Sequence, residues 1–506
     1  MTQTLANPYL PTTLRVGKHI SSLSGMCASC SDQCTGLCEI GLSAIRGPET
    51  TYPYDTTTHQ FAAEKSFPFT YEDFNINGRL FNPFDVSETQ EQTNVFSACT
   101  KTVIGDKHPI KLKIPIILPA IAKLDWEDYY TGAALAGTIA TIGESAIKND
   151  ARLECDAHGF VSRSPLLEKM VSCYRSYQKD PTYGNIVLQV NSDDITLQVA
   201  EYALTHLDID TIEIKLGQAA KGIAHVTPIY DYEEALKLKK AGYIVLPNPL
   251  DEQVKARYTP DSGLYFRQFG RLPIWDETSL SNIIEKYYAL GAKNIFLKMA
   301  GYDSKDIHRV LKIASDHHIS LITFDGAGGG TGHSPCKMMN EWGYPAIELE
   351  TLLYQEFKQL EEQSAYLPSL ALAGGFSTED TIYKALALGS PYIQLIAVGR
   401  AAMAAAYTSK NIANKLLKGE LPQHLSSFGK EVDDIFINAK SLKSIYGSNL
   451  SYGSIGVYSY LEKLSFGLQL FMTLTHKFKL SHIDQTDLIP LTTKAEQSLS
   501  KLGLNL

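Results

Sequence analysis

The chain has 506 residues, 44% of them hydrophobic and 20% charged, with a formal net charge of -9 at pH 7. That length exceeds one ordinary compact domain but suits a barrel of about 250 residues with appended pieces. An acidic balance without a basic stripe argues against a nucleic-acid partner. No run approaches the roughly 20 apolar residues of a membrane span, and the first residues lack the apolar stretch of a signal peptide, so a cytoplasmic protein is expected.

Residues 1–110 are rich in Pro, Gly, Asn, Thr and Tyr without a clear period, which predicts an irregular N-terminal extension. From Lys111 short apolar runs alternate with amphipathic stretches. Strands are expected at Ile114–Ala120, Gly137–Ile142, Ile186–Val190, Thr211–Lys215, Asn294–Lys298, Leu321–Phe324, Leu370–Ala373 and Tyr392–Ile396. Their Ile, Val and Leu content suits parallel strands buried on both faces. Helical spacing marks Ile195–His206, Leu280–Leu290, Lys305–His317 and Thr378–Leu388. The class is therefore α/β, a (β/α)8 TIM barrel over 111–406, followed by a helical C-terminal cap over 407–506. Two insertions, near 150–183 and 216–270, are expected on the loops after strands two and four, and the apolar run Phe466–Leu474 as a buried helix face.

The chemistry concentrates at the ends of the last strands. Gly374-Gly375 follows one apolar run, and Gly399-Arg400 follows the next and opens a small-residue helix. Glycines there let backbone N–H groups approach an anion, and a helix N-terminus adds to the attraction. Glycines that merely end strands are the alternative, but two such sites at consecutive strand ends favour phosphate. Phe324-Asp-Gly-Ala-Gly-Gly-Gly-Thr-Gly-His-Ser-Pro335 is a glycine-rich loop, with Gly328, Gly329 and Gly330 at its centre. It suits close passage of a planar ligand or its tail, or a mobile lid; Asp325 and Thr331 are read as turn-bonding residues.

These segments carry a resemblance. Phe324–Pro335 resembles the glycine-rich loop of the FMN-binding domain of glutamate synthases, and Ile212-Glu-Ile-Lys-Leu-Gly-Gln-Ala-Ala-Lys-Gly222 resembles that family's I-x-I-K-x-x-Q-G-A-K. Ile295–Lys298, Thr141–Glu144 and Ala373–Gly375 match further motifs in the same order, across 112–406. The resemblance implies an FMN-dependent oxidoreductase acting on CH–NH2 or related groups, reducing an imine or other polarised double bond. By the same resemblance Gly374, Gly375, Gly399 and Arg400 would hold the FMN phosphate, with Ala120, Gly143, Glu144 and Gln189 along the ring. Lys215 and Lys298 would point into the barrel mouth, where a cation stabilises the anionic reduced ring; a buried ion pair with Glu213 or Glu144 is the plainer account of either lysine. Glu144 would handle a proton, and Lys221 or His225 would orient a substrate carboxylate.

Departures from the family matter. No amidotransferase domain with an N-terminal cysteine is expected ahead of the barrel, the segment Gly222–Pro228 is altered, and residues 401–430 contain no cysteine. Instead Cys27, Cys30, Cys34 and Cys38 cluster near the start. Four close thiols suit a [4Fe–4S] cluster, a structural zinc, or no metal at all. An external electron donor such as ferredoxin or a reductase is expected, with the oligomeric state open. Two other readings stand beside this one: a flavin redox sensor without turnover, and a phosphate-binding dehydrogenase barrel using Cys336.

Overall fold

The computed structural model describes residues 41, 44–45, 67–81, 94–217, 226–260, 262–272, 275–327, 329 and 341–503. Eight parallel strands close into a barrel: β1 Ile116–Ile121, β2 Ala140–Ile142, β3 Ile186–Val190, β4 Thr211–Lys215, β5 Asn294–Ala300, β6 Leu321–Asp325, β7 Ser369–Ala373 and β8 Ile393–Ala397. Each pairs with its sequence neighbours, and β8 closes on β1. All eight expected strands are present, with ends shifted by no more than a few residues. Their apolar content follows from burial on both faces: every residue of β3, β5 and β6 is buried.

A barrel helix of eight or more residues lies between each strand and the next, and one follows the last. They are α1 Trp126–Ala136, α2 Pro165–Tyr177, α3 Val199–His206, α4 Glu277–Ala289, α5 Ser304–Asp316, α6 Ala346–Glu362, α7 Glu379–Leu388 and α8 Arg400–Leu417. Local chemistry sets their ends. Ser164 caps α2 ahead of Pro165, and Gly137 ends α1 in the left-handed region at φ 65°. The expected helix at Ile195–His206 is broken. A short helix at Ser192–Thr196 stops, and Gln198 takes a left-handed φ of 58° before α3 begins.

The expected insertion at 150–183 is corrected. It holds a small hairpin, Glu154–Cys155 with Val161–Arg163, but then α2 itself, which belongs to the barrel. The hydrophilic outer face of α2, with Glu168, Lys169 and Arg175, obscured its period. The segment after β4 is a true insertion. Its strands Val226–Ile229, Phe266–Phe269 and Ile244–Leu246 form an antiparallel sheet, with helices at Tyr232–Lys240 and Glu252–Arg257.

A second hairpin, Thr102–Ile104 with Ile110–Leu112, seals the N-terminal end of the barrel. Ile104, Ile110 and Leu112 join the interior cluster of Ile117, Val187, Phe296, Leu321 and Leu395. The Asn294 side-chain amide donates to the His108 carbonyl at 3.1 Å, fixing the hairpin to the first residue of β5.

The C-terminal helix α9, Tyr452–Leu474, lies against α1, α7 and α8. Glycines permit the approach: a Cβ on Gly132 of α1 would fall 2.4 Å from Val457, and one on Gly456 would fall 1.9 Å from Ser409 Oγ. The expected buried face is only half right. Leu468 and Met472 are buried, whereas Phe466, Leu470 and Leu474 lie 41–49% exposed on the opposite side. Beyond α9, Leu488–Pro490 pairs with Phe74–Ile76, joining segments near the two ends of the chain. Among the described residues, no helix is long and apolar enough to cross a membrane.

Candidate active site at the barrel mouth

Parallel strands in a barrel present their C-terminal ends on one face, where loops can be varied without disturbing the core. Here that face gathers five ionisable side chains. Lys298 on β5 stands in register with Lys215 on β4 and with Thr323 on β6. Two ammonium groups side by side repel, and each has its own carboxylate. Lys215 Nζ donates to Glu144 Oε1 at 2.9 Å, and Lys298 Nζ lies 3.6 Å from Asp325 Oδ2. Deeper in, Gln189 on β3 donates to Glu213 Oε1 on β4 at 2.6 Å, the two being register partners.

Three carboxylates thus surround two ammonium groups in a nearly dry enclosure. Burial raises the pKa of Glu144 and of Glu213 above the usual carboxylate range, while Lys215 and Lys298 pull in the other direction. Burial acts to lower Lys298, but Asp325, Glu213 and Glu144 outweigh it and leave its pKa raised. Two polar atoms have no hydrogen-bond partner although buried, Glu144 Oε2 and Thr323 Oγ1. Orphaned groups of this kind mark a site made to meet something else.

The next two strand ends carry no charge until Arg400. After β7, Gly374 and Gly375 have φ of 139° and 89°, which side chains rarely adopt. A Cβ on Gly375 would meet nothing within 4 Å, so the space before it is open. After β8, Gly399 caps α8 without a side-chain hydrogen bond, and the first turn of this 18-residue helix holds no acid. The start of α7 differs, with Glu379 and Asp380 in its first turn. A helix start stripped of acids, opening on Arg400, attracts an anion. Burial lowers the pKa of Arg400. The backbone donors, open space and cation together fit a phosphate.

The remaining expected residues divide as follows. Ala120, half-buried, lies on β1, and Gly143 donates its N–H to Ile121 O at 2.9 Å, binding the loops after β1 and β2 together. Gly329 is buried, whereas Gly328 and Gly330 lie outside the described residues, as do Lys221, His225, Cys336 and the four cysteines Cys27, Cys30, Cys34 and Cys38. Among the described residues no group of His, Cys, Asp or Glu is arranged to hold a metal. Asp325, expected to serve a turn, is instead the partner of Lys298. Glu213, named from the sequence as a possible partner of a lysine, accepts from Gln189, and Thr323 was legible only once the strand register placed it inward. Gly326 opens the glycine-rich loop for a packing reason: its Cβ would fall 2.6 Å from Ala346 Cα at the start of α6.

Comparison with solved structures finds flavocytochrome b2 with pyruvate bound, at 14% identity and TM-score 0.44, covering 86% of this chain and 79% of that one. It also finds lactate oxidase of Pediococcus acidilactici, at 13% identity and TM-score 0.44, covering 83% and 84%. A soluble mutant of (S)-mandelate dehydrogenase from Pseudomonas putida is 13% identical with TM-score 0.44, covering 83% and 88%. No curated protein matches. Residues 271–411, from just before α4 into α8, match the conserved region in glutamate synthase.

Proposed function

We propose that the chain is an FMN-dependent oxidoreductase whose ring site is the mouth of the barrel. The observation that carries this reading is the pairing of a phosphate-fitting cradle, Gly374, Gly375, Gly399 and Arg400, with the adjoining charged mouth. The match of residues 271–411 to the conserved region in glutamate synthase supports it, since that segment supplies β5 to β8 and the cradle. Ala120, Gly143, Glu144 and Gln189 would border the ring, with the glycine-rich loop at Gly328–Gly330 passing close to it. When bound, FMN supplies hydride transfer, which no side chain can perform.

The chain's own residues do the rest. Lys298 and Lys215 place fixed positive charge where negative charge develops, in a site too dry to screen it. Glu144, with one oxygen on Lys215 and the other unpartnered, is placed to hold or release a proton. The packed side chains of the barrel interior leave no path for water behind the ring. The substrate in this proposal is a small anionic molecule with a polarised C=N bond, oriented by Lys221 or His225. Electrons come from an external donor such as ferredoxin or a reductase. The thiols of Cys27, Cys30, Cys34 and Cys38 are proposed as ligands of a [4Fe–4S] cluster, with zinc as the alternative.

The test is reconstitution. Purified protein incubated with FMN and desalted should retain about one flavin per chain, with altered visible bands. Retention of no flavin at any FMN concentration overturns the proposal.

A further inference from the structure

Glu144 lies just ahead of a short 3-10 turn, Ala146–Asn149, whose cap residue Ser145 makes no side-chain cap bond. Ser145 has a left-handed φ of 58°, a conformation that costs a non-glycine residue about 1–2 kcal/mol. Its N–H donates to Asp194 Oδ2 at 2.8 Å, and its Oγ accepts from Asn191 Nδ2 at 3.1 Å. Asp194 Oδ2 also accepts from the Asn191 N–H at 3.2 Å, and Asn191 Oδ1 caps the short helix at Ser192–Thr196. Asp194 is 1% exposed, and its other oxygen, Oδ1, has no hydrogen-bond partner. A buried carboxylate is costly unless it does something for the residues it bonds. It bonds two backbone N–H groups, that of Asn191, closing the cap of the short helix, and that of Ser145, beside Glu144.

We propose that Asp194 is a positioning residue that holds Glu144 on Lys215 by locking Ser145 in the left-handed conformation. The inference rests on Glu144 belonging to the flavin site proposed above. Without that acceptor, Ser145 relaxes, the turn after β2 opens, and the Glu144 carboxylate leaves the lysine. Asparagine at 194 keeps an oxygen acceptor; alanine does not. Glycine at 145 adopts the left-handed conformation without help.

The experiment uses the full chain without added flavin, so its outcome is independent of whether FMN binds. Lysines are acetylated in competition, and the rate at Lys215 is read by peptide mass spectrometry relative to the remote surface residue Lys494. Asp194→Ala should raise the Lys215 rate several-fold, as should Glu144→Gln, and the double variant should add nothing further. Asp194→Asn should remain near the parent rate, and Ser145→Gly should restore protection in the Asp194→Ala background. A general loss of packing would raise many lysines together and would not be rescued by Ser145→Gly. An unchanged Lys215 rate in Asp194→Ala, additive rates in the double variant, or failure of Ser145→Gly to restore protection overturns the inference.

Discussion

Gly375→Ala separates the two things the cradle glycine does. Its φ of 89° lies in the left-handed range, so alanine there should cost about 1–2 kcal/mol of stability from backbone strain. Nothing lies within 4 Å of the added Cβ, so no steric cost adds to this in the protein alone. FMN binding should suffer separately. If the turn shifts enough to lose one charge-assisted hydrogen bond to the phosphate, the loss is about 1.5–3 kcal/mol, or roughly 10- to 150-fold in Kd. Titration by flavin fluorescence quenching gives the affinity, and urea unfolding gives the stability. Riboflavin, which has no phosphate, is the control: its affinity should hardly change. A Kd for FMN within twofold of the parent, or an equal loss for FMN and riboflavin, refutes the placing of the phosphate at Gly375.

Three further outcomes follow from the site. Lys298→Met leaves Asp325 and Glu213 buried near an apolar side chain, and should destabilise the fold by about 3–5 kcal/mol in urea unfolding; adding Asp325→Asn should recover part of that loss. Burial raises the pKa of Glu144 and Glu213, and raises Asp194 to about 8 with help from the Glu144 and Asp193 charges. The native state therefore binds protons that the unfolded chain releases from about pH 4 upward. Stability should fall as pH rises from there through about 8, and Asp194→Asn should flatten the upper part of a melting-temperature profile. Finally, anaerobically purified protein should contain about four irons per chain if the cysteine segment holds a cluster; zinc at about one per chain would make that segment structural, and Cys30→Ala should abolish either signal.

The barrel was legible because buried parallel strands have few ways to be written. Ile186–Val190 was placed to the residue by its nearly continuous apolar run, and Thr211–Lys215 by the alternation of Ile212 and Ile214 with Thr211, Glu213 and Lys215. Gly374-Gly375 and Gly399-Arg400 were visible because glycine at a strand end carries backbone information. What could not be read depends on contacts distant in sequence. Nothing near Asp325 announces that it reaches Lys298 on the neighbouring strand, two residues along from that lysine's register partner Thr323, and Asp194 looks like an ordinary helix-start acid until Ser145 is seen donating to it. The α2 helix was mistaken for part of a loop because a hairpin precedes it and its charged face is broad. The solvent-facing side of α9 was missed because a continuous apolar run does not reveal which side finds a neighbour.

Side chains fill the barrel interior and the hairpin Thr102–Leu112 covers its N-terminal end, so the mouth is a shallow cup. A cup has a single rim, so everything that reaches its floor arrives and departs by the same route. Under the proposed chemistry, the electron donor and the acceptor would have to take turns at that rim. Initial velocities measured against both reactants would then give parallel double-reciprocal lines, the signature of alternating rather than simultaneous occupancy.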